Sequence, residues 1–371
     1  MGIIIREMET YEAGVIQSLG LKTFLRSLEG FYVAKPKTAR VAVLEGKIVG
    51  GLIYTTDICG DKKIGFVDFF FIDPTHAGQG IGRELCKEGI AYLWSEGYDY
   101  LGAVVRDDNV GSWAAFEKNG FTNAGLPKVA RAVGFVGFLQ IYIKHAYFLS
   151  SACDLHFAPR PDSGAELSSF RKEAGFGQVI LYFLGNFLLL LIATMIGMGI
   201  LRGSYSFFGF FRTEVPASIA VSILAVLGGA VLLSYVGTLF SARKWRFRTP
   251  TGGFVLNFLI SLGGFYFPIG GSFYPERYEN TPKFRRDMGL GALLSWLYIM
   301  VLFVAIGIFG GRMTFISGNI LDFTGELARL LLIFRCLPFP HANFGTSRIF
   351  TWNKIVYGLM LLGSICLVFF W

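Results

Sequence analysis

The stretch Val67–Leu85, VDFFFIDPTHAGQGIGREL, decides how the rest of the chain is read. An apolar strand runs into a turn marked by Pro74 and then a loop in which Gly78, Gly80 and Gly82 alternate with Gln79 and Ile81. The first turn of a helix follows. Glycine has no Cβ to hold a ligand away and adopts backbone angles that other residues avoid, so successive amides can turn toward one point. That point lies at a helix start, where four N–H groups lack intrahelical partners and the macrodipole is positive. Such a place binds phosphate. No Lys-Ser or Lys-Thr pair follows the glycines, as a nucleotide-triphosphate loop requires. Nor does the loop follow the first strand of a βαβ unit, as a dinucleotide-binding turn does.

The flanks narrow the choice. Val41–Tyr54 reads as a hairpin with Glu45-Gly46-Lys47 at its tip between β-branched runs. Downstream come a helix over Glu84–Glu96, a strand over Tyr100–Arg106 and a second helix holding Asn109, Ser112, Trp113, Phe116 and Lys118. Two motifs stand in order: Ala77-Gly78-Gln79-Gly80-Ile81-Gly82, then Asp108-Asn109 with Phe116-Glu117-Lys118-Asn119-Gly120-Phe121. On these residues the first 125 to 150 positions resemble the GNAT acetyltransferase superfamily, an α+β fold with a mixed, mainly antiparallel sheet and helices. Two departures are visible: Ala77 stands where that family usually has Gln or Arg, and Phe116 replaces its frequent Tyr.

The resemblance implies transfer of an acetyl group from acetyl-CoA, as co-substrate, to an amine. It implies that the loop Gly78, Gln79, Gly80, Ile81, Gly82 and Arg83 carries the pyrophosphate, and that amides along Phe69, Phe70, Phe71 and Ile72 carry the pantetheine arm. Asn109 is the implied polar contact to CoA, and Phe116 sits at the family's position near the leaving thiolate, which it cannot protonate because it has no donor. Asp68, on the strand that splays beside the acetyl group in this fold, is the expected base. The alternative is a strand Asp bonded to a neighbouring strand or loop. Arg83 either adds charge beside the phosphates or is a solvated residue at a helix start. The residues between Leu21 and Lys35 would cover the acceptor, whose identity they do not reveal.

Composition divides the chain. Of 371 residues, 53% are hydrophobic and 16% charged, too apolar for an ordinary soluble enzyme, although the first 175 residues look ordinary. The excess sits in the second half, in runs of about 20 apolar residues, which is bilayer length. A net charge of +8 is then expected in Lys- and Arg-rich cytoplasmic loops rather than in nucleic-acid binding. No basic patch interleaved with aromatics argues otherwise. The cysteines Cys59, Cys86, Cys153, Cys336 and Cys366 are scattered without metal spacing and are expected to be reduced. The first residues lack a signal-peptide core, so the first domain is expected in the cytosol.

The predicted organisation is a GNAT-like domain over 1–150, a linker over 151–175 and an α-helical, multi-pass membrane domain over 176–371. Pro127–Ser150 supplies either the last two strands or an amphipathic helix on the membrane surface, and Tyr147–Arg171 reads as linker because of Pro159, Pro161 and Gly164. Phe176–Leu201, Pro216–Phe240, Met288–Gly310 and Lys354–Trp371 are predicted spans. Arg243, Lys244, Arg246 and Arg248 mark a cytoplasmic loop. Gly253–Gly271, rich in glycine and broken by Pro268, is predicted to be re-entrant. Asn319, Asp322, Glu326 and Arg329 share one helix face, which either lines a cavity or stays wet on an interfacial helix.

This second half resembles the membrane core of the site-2 protease family. The resemblance rests on Ser241-Ala242-Arg243-Lys244-Trp245 with Thr249-Pro250-Thr251-Gly252-Gly253-Phe254, and on Leu337-Pro338-Phe339-Pro340 with Gly345 and Ile349–Lys354. Zinc in such a protease needs two His a helical turn apart and a distant Asp. Here Ser234-Tyr235-Val236-Gly237-Thr238 occupies the first place, Asn343 stands near the second, and His341 is alone. No metal and no protease activity are expected. The predicted whole is an N-acetyltransferase of the cytoplasmic membrane, embedded in the lipid bilayer and acting at its cytosolic face on an unidentified amine. The alternative is a non-catalytic acyl-CoA-sensing or scaffold protein whose pseudoprotease core holds a membrane protein partner.

Overall fold

The computed structural model describes residues 2–24, 33–106, 109–145, 153–164, 176–198, 207–249, 252–276, 279, 281–313, 316–336 and 345–370. They fall into two compact units, the first reaching to Lys172 and the second built mainly from Glu173–Trp371.

The first unit is a seven-stranded sheet in the order β1-β2-β3-β4-β5-β7-β6. Its strands are β1 (Ile4–Glu7), β2 (Ala39–Leu44), β3 (Lys47–Cys59), β4 (Lys62–Ile72), β5 (Tyr100–Arg106), β6 (Thr122–Asn123) and β7 (Cys153–Pro159). Glu45 and Gly46 both take positive φ, 52° and 76°, which gives the β2–β3 hairpin the two-residue turn that matches strand twist. Helix α1 (Ala13–Thr23) lays Ile16 and Leu19 on a cluster containing Val41, Ile53 and Phe71. Helix α2 (Ile81–Ser95) starts three residues before the predicted Glu84, because Ile81 is 1% exposed and anchors the first turn in the core. Helix α3 is Val110–Lys118.

On the way to the second unit the helical alternative holds for one segment and the predicted linker needs correction. Pro127–Ser150 contains no strand among its described residues. Instead α4 (Leu126–Val133) and α5 (Phe135–Lys144) meet at a 118° bend on Gly134, whose φ is +76°. The last strand comes from within the predicted linker: every residue of β7 is buried, and Phe157 and His156 pair with Thr122 and Asn123. Pro159 and Pro161 signalled a linker but lie at and beyond the strand's end, where proline is compatible with a sheet. Asp154 and His156, buried in β7, hide its apolar pattern.

The second unit is helical: α6 (Phe176–Gly197), α7 (Val215–Leu239), α8 (Phe254–Leu262), α9 (Pro282–Phe309), α10 (Gly318–Cys336), α11 (Thr346–Trp352) and α12 (Lys354–Phe370). Among the described residues, three helices are long and apolar enough to cross a bilayer: Gly177–Gly197, Val215–Leu239 and Pro282–Arg312. They coincide with three of the predicted spans, while α12, at 17 residues, is a shorter apolar helix. Nine residues of helix in α8 extend about 13 Å, less than half of a bilayer core, which fits a re-entrant segment better than a crossing.

Helix α7 is π-helical over Leu224–Gly228, and the Tyr298 hydroxyl donates to the Ala225 carbonyl within that bulge at 2.6 Å. Two turns on, α7 meets α9 with almost no side chain between them: a Cβ on Gly237 would lie 2.5 Å from Gly291 Cα. Small residues let membrane-type helices approach this closely. The predicted basic loop is partly neutralised from within. Arg243 donates to Asp287 and Glu279, both at 2.6 Å, and Arg246 to Glu276 at 2.8 Å. Along α10 the polar face of Asn319, Asp322, Glu326 and Arg329 is exposed, and the charged residue that is buried is Arg335. Asp108, Leu337-Pro338-Phe339-Pro340, His341 and Asn343 lie outside the described residues.

Close approach at Gly237 predicts that Gly237→Leu costs about 1–3 kcal/mol by overpacking and lowers the thermal midpoint of the detergent-solubilised chain. Gly177→Ala, where an added Cβ meets nothing within 4 Å, leaves that midpoint unchanged.

Candidate active site

The site begins where two strands part. Strands β4 and β5 pair in parallel from Ile64 opposite Tyr100 to Val67 opposite Ala103, and then continue without pairing to each other, β4 to Ile72, still on β3, and β5 to Arg106. At the same place the β3–β4 ladder slips. Ile53 faces Phe69 and Tyr54 faces Val67, so Asp68 is the extra residue of a bulge. A bulge bends its strand and re-aims the unpaired side chain. Asp68 therefore stands at the apex of a V-shaped gap.

Three residues meet there. The His145 Nδ1 lies 3.0 Å from Asp68 Oδ1 and its Nε2 lies 2.7 Å from Asp57 Oδ2. Its ring stacks on Phe66 at 3.5 Å between centroids. Lys144 donates to the other Asp57 oxygen. The His145 side chain is 5% exposed and that of Asp57 is fully buried, whereas Asp68 keeps 23% of its side chain exposed. Burial works against charge on His145, but hydrogen bonds to Asp57 and Asp68 outweigh it and raise its pKa above the ordinary histidine value. For Asp57, burial pushes upward, and the bonds from His145 and Lys144 overcome that and hold it below the usual carboxylate range. The resulting state is an imidazolium between two carboxylates, with N–H groups donating to both. Among the described residues Asp68 Oδ2 accepts no hydrogen bond.

Sequence reading located Asp68 but not its two partners. The one available signal was polarity: Asp57 interrupts an apolar strand, and Lys144-His145 ends an apolar helix. Neither residue shows which strand it will meet.

Beyond the far end of β4 lies the glycine loop expected to hold phosphate. Asp73 accepts the backbone N–H of Thr75 at 3.0 Å and its hydroxyl at 2.8 Å, and these bonds, with Lys22 beside them, bring its carboxyl down to about 2. This fixes the turn at Pro74. Gly78 and Gly80 both have φ of +81°, and a Cβ on either would meet nothing within 4 Å. The Glu84 amide donates back to Gly80, but among the described residues no protein atom accepts the amides of Gly78, Gln79, Gly80, Ile81, Gly82 or Arg83. Arg83 is exposed and makes no ion pair among the described residues. Orphan donors around an open, glycine-lined concavity at a helix start fit a diphosphate, and acetyl-CoA carries one.

Other predicted positions turn out to be structural. Phe71 is 3% exposed and belongs to the core under α1, so only its backbone faces the gap region. Phe70 and Ile72 are half-buried, Phe70 packing edge-on against Phe116 with centroids 6.1 Å apart and Ile72 against Gly82. Asn109 caps α3, its side chain accepting the Ser112 N–H at 3.2 Å. Phe116 is 2% exposed and packs on Phe121 at 4.9 Å, a core residue rather than a wall of the cofactor groove. Asn119-Gly120-Phe121 ends α3: Gly120 takes φ of +88° and the Phe121 amide returns to the Phe116 carbonyl. Half of the second motif is thus a helix stop. Among the described residues no three His, Cys, Asp or Glu side chains are grouped to hold a metal ion.

Comparison with known proteins points the same way. Residues 9–121 match the model of the Acetyltransferase (GNAT) family. The mycothiol acetyltransferase of Amycolatopsis mediterranei (strain U-32) is 36% identical over 63 residues, which is 17% of this chain and 21% of that protein. The chain thus spans about a fifth of the length of that relative. Among solved structures, the ribosomal-protein-S18-alanine N-acetyltransferase from Escherichia coli is 16% identical over 44% of this chain and 98% of its own, with a TM-score of 0.31. An acetyltransferase of the GNAT family from Streptococcus pneumoniae is 22% identical over 33% of this chain and 87% of its own, with a TM-score of 0.27. The family match ends well before the helical half. The first unit of the chain is a GNAT-like mixed sheet with helices, and its family match supports acetyl transfer in general.

Proposed function

We propose that the chain is a membrane-tethered N-acetyltransferase that moves the acetyl group of acetyl-CoA to an amine on the cytosolic side of the cytoplasmic membrane. The observation that carries this reading is the continuity of one strand: β4 leaves β5 at Asp68 and ends at six unclaimed amides. A thioester whose diphosphate rests on the amides of Gly78–Arg83 would lie along Phe69–Ile72, with its carbonyl toward the gap. The acceptor nitrogen attacks the carbonyl carbon, the C–S bond breaks, and the thiolate leaves with a proton from solvent. Asp68 Oδ2 takes the proton lost by the amine, while His145 fixes the other oxygen. Binding of the distant phosphates supplies positioning for the reacting group. Three long apolar helices support the tether.

A second reading has its own support. Phe116 is buried and has no proton to give, and Ala77 replaces a side chain frequent in the family, so a non-catalytic acyl-CoA sensor would use the same cradle without turnover. In that case the second unit, which resembles a protease core without metal ligands, would serve as a scaffold for a membrane partner.

Binding is checked by calorimetry with acetyl-CoA on the detergent-purified full chain. Gly80→Val places a β-branched residue at φ +81° and removes the open concavity, and is expected to weaken binding tenfold or more, about 1.4 kcal/mol. Turnover separates the two readings: with labelled acetyl-CoA and a panel of amines, Asp68→Asn is expected to lower kcat by about 10²–10⁴-fold at unchanged acetyl-CoA affinity.

The His145 cluster also predicts a pH signature. A raised histidine pKa contributes stability that is complete below about pH 6.5 and is lost as pH climbs through the folded-state value. His145→Gln is accordingly expected to cost about 1.5–3 kcal/mol near pH 6. Its deficit in thermal midpoint relative to the native chain should shrink as pH rises above about 6.5, and a deficit independent of pH would contradict the ion triad.

A further inference from the structure

The second unit contains a cavity with about 40 Å³ of room for the centres of water-sized molecules, several times what one water requires. Its walls combine apolar side chains, among them Leu227, Phe247 and Leu331, with Ser234, Ser272 and Ser295. One wall carries a charge. Arg335, from the buried face of α10, lines the cavity and is 7% exposed. Its Nη2 donates to Ser295 at 2.8 Å, while Nε and Nη1 are buried and find no acceptor among the described residues. Among the described residues no Asp or Glu lines the cavity.

That combination is costly. A buried guanidinium without a counter-charge loses several kcal/mol of hydration, and one neutral hydroxyl returns only part of it. Behind the Ile269 wall the polar groups are paired. Asn186, completely buried, donates to the carbonyls of Tyr182 and Ile269 and accepts from the Ile269 amide and the Tyr266 hydroxyl. It pins the loop that forms one wall, where a Cβ on Gly271 would strike Phe247 and Tyr182 at 2.6 and 2.7 Å. Among the described residues, Arg335 is the one charged side chain that lines the cavity, and two of its nitrogens lack a partner.

We infer that this cavity binds the oxyanion of a phosphate group, with Arg335 as its charge partner. A guanidinium presents N–H groups in a planar fork that matches two oxygens of a phosphate, which a neutral ligand cannot reciprocate. The room suits a head group only, and the apolar side chains suit the start of a hydrocarbon chain. A lipid phosphate and free phosphate share this chemistry.

The full chain, purified in neutral detergent, is titrated with inorganic phosphate, with dioctanoyl phosphatidylglycerol and with dioctanoylglycerol, and binding is read from the shift in thermal midpoint. Saturable stabilisation by phosphate or by the phospholipid, but not by dioctanoylglycerol, is expected. Response to the phospholipid alone identifies a lipid head group, and response to both identifies the anion itself. Arg335→Met is expected to weaken the apparent affinity at least tenfold, and Arg335→Lys less. Should Arg335→Met lose cooperative unfolding, Ala292→Leu, which fills the cavity and keeps the arginine, is expected to abolish the response. No saturable response in either phosphate arm, an equal response to dioctanoylglycerol, or unaltered affinity in Arg335→Met or Ala292→Leu overturns the inference.

Discussion

The first unit depends on one mismatch between neighbouring strands. A bulge at Asp68 increases local twist in β4, and β5 pairs with that strand only up to the residue before it. Beyond that point the β5-facing edge of β4 has no ladder partner among the described residues. An unpaired edge inside a sheet is normally a liability, because each desolvated N–H or C=O costs about as much as a lost hydrogen bond. In this unit the edge leads directly to a helix start whose amides are equally unclaimed. Under the proposed function one extended, phosphate-bearing partner would satisfy both. The chemistry proposed for the unit is a reading of that geometry.

The ion cluster at the apex explains how a carboxylate can be both held and available. Asp57 is buried and would be expensive alone. His145 and Lys144 neutralise it, and the imidazolium uses its second N–H to hold one oxygen of Asp68. His145 and Asp57 are buried, while Asp68 is partly exposed. Stacking on Phe66 fixes the imidazole plane, so the hydrogen-bond directions are set by core packing rather than by a loop.

Legibility in the sequence followed the range of the interactions. The glycine loop, the hairpin at Glu45-Gly46 and the Asn119-Gly120 stop are local, dictated by backbone angles that few residues adopt, and each was readable in place. Asp68 was readable as a position on β4. His145 and Asp57 were not, because 88 residues separate them and only the bend at Gly134 brings the end of α5 to the sheet. Strand β7 was missed because Asp154 and His156 are buried polar residues whose presence breaks apolar patterning. In the helical half, hydrophobic length located the long helices. The exposed polar face of α10 drew attention away from Arg335, which points to the other side. A buried charge announces itself only through what surrounds it.

Hydrogen exchange of the full chain with and without acetyl-CoA tests the central claim most directly. The account predicts added protection at the amides of Gly78–Arg83 and along Phe69–Ile72, with the edges of the sheet at β1 and β6 unchanged. Exchange at Gly78–Arg83 that is identical in the two conditions, at acetyl-CoA concentrations that saturate any binding, would contradict it.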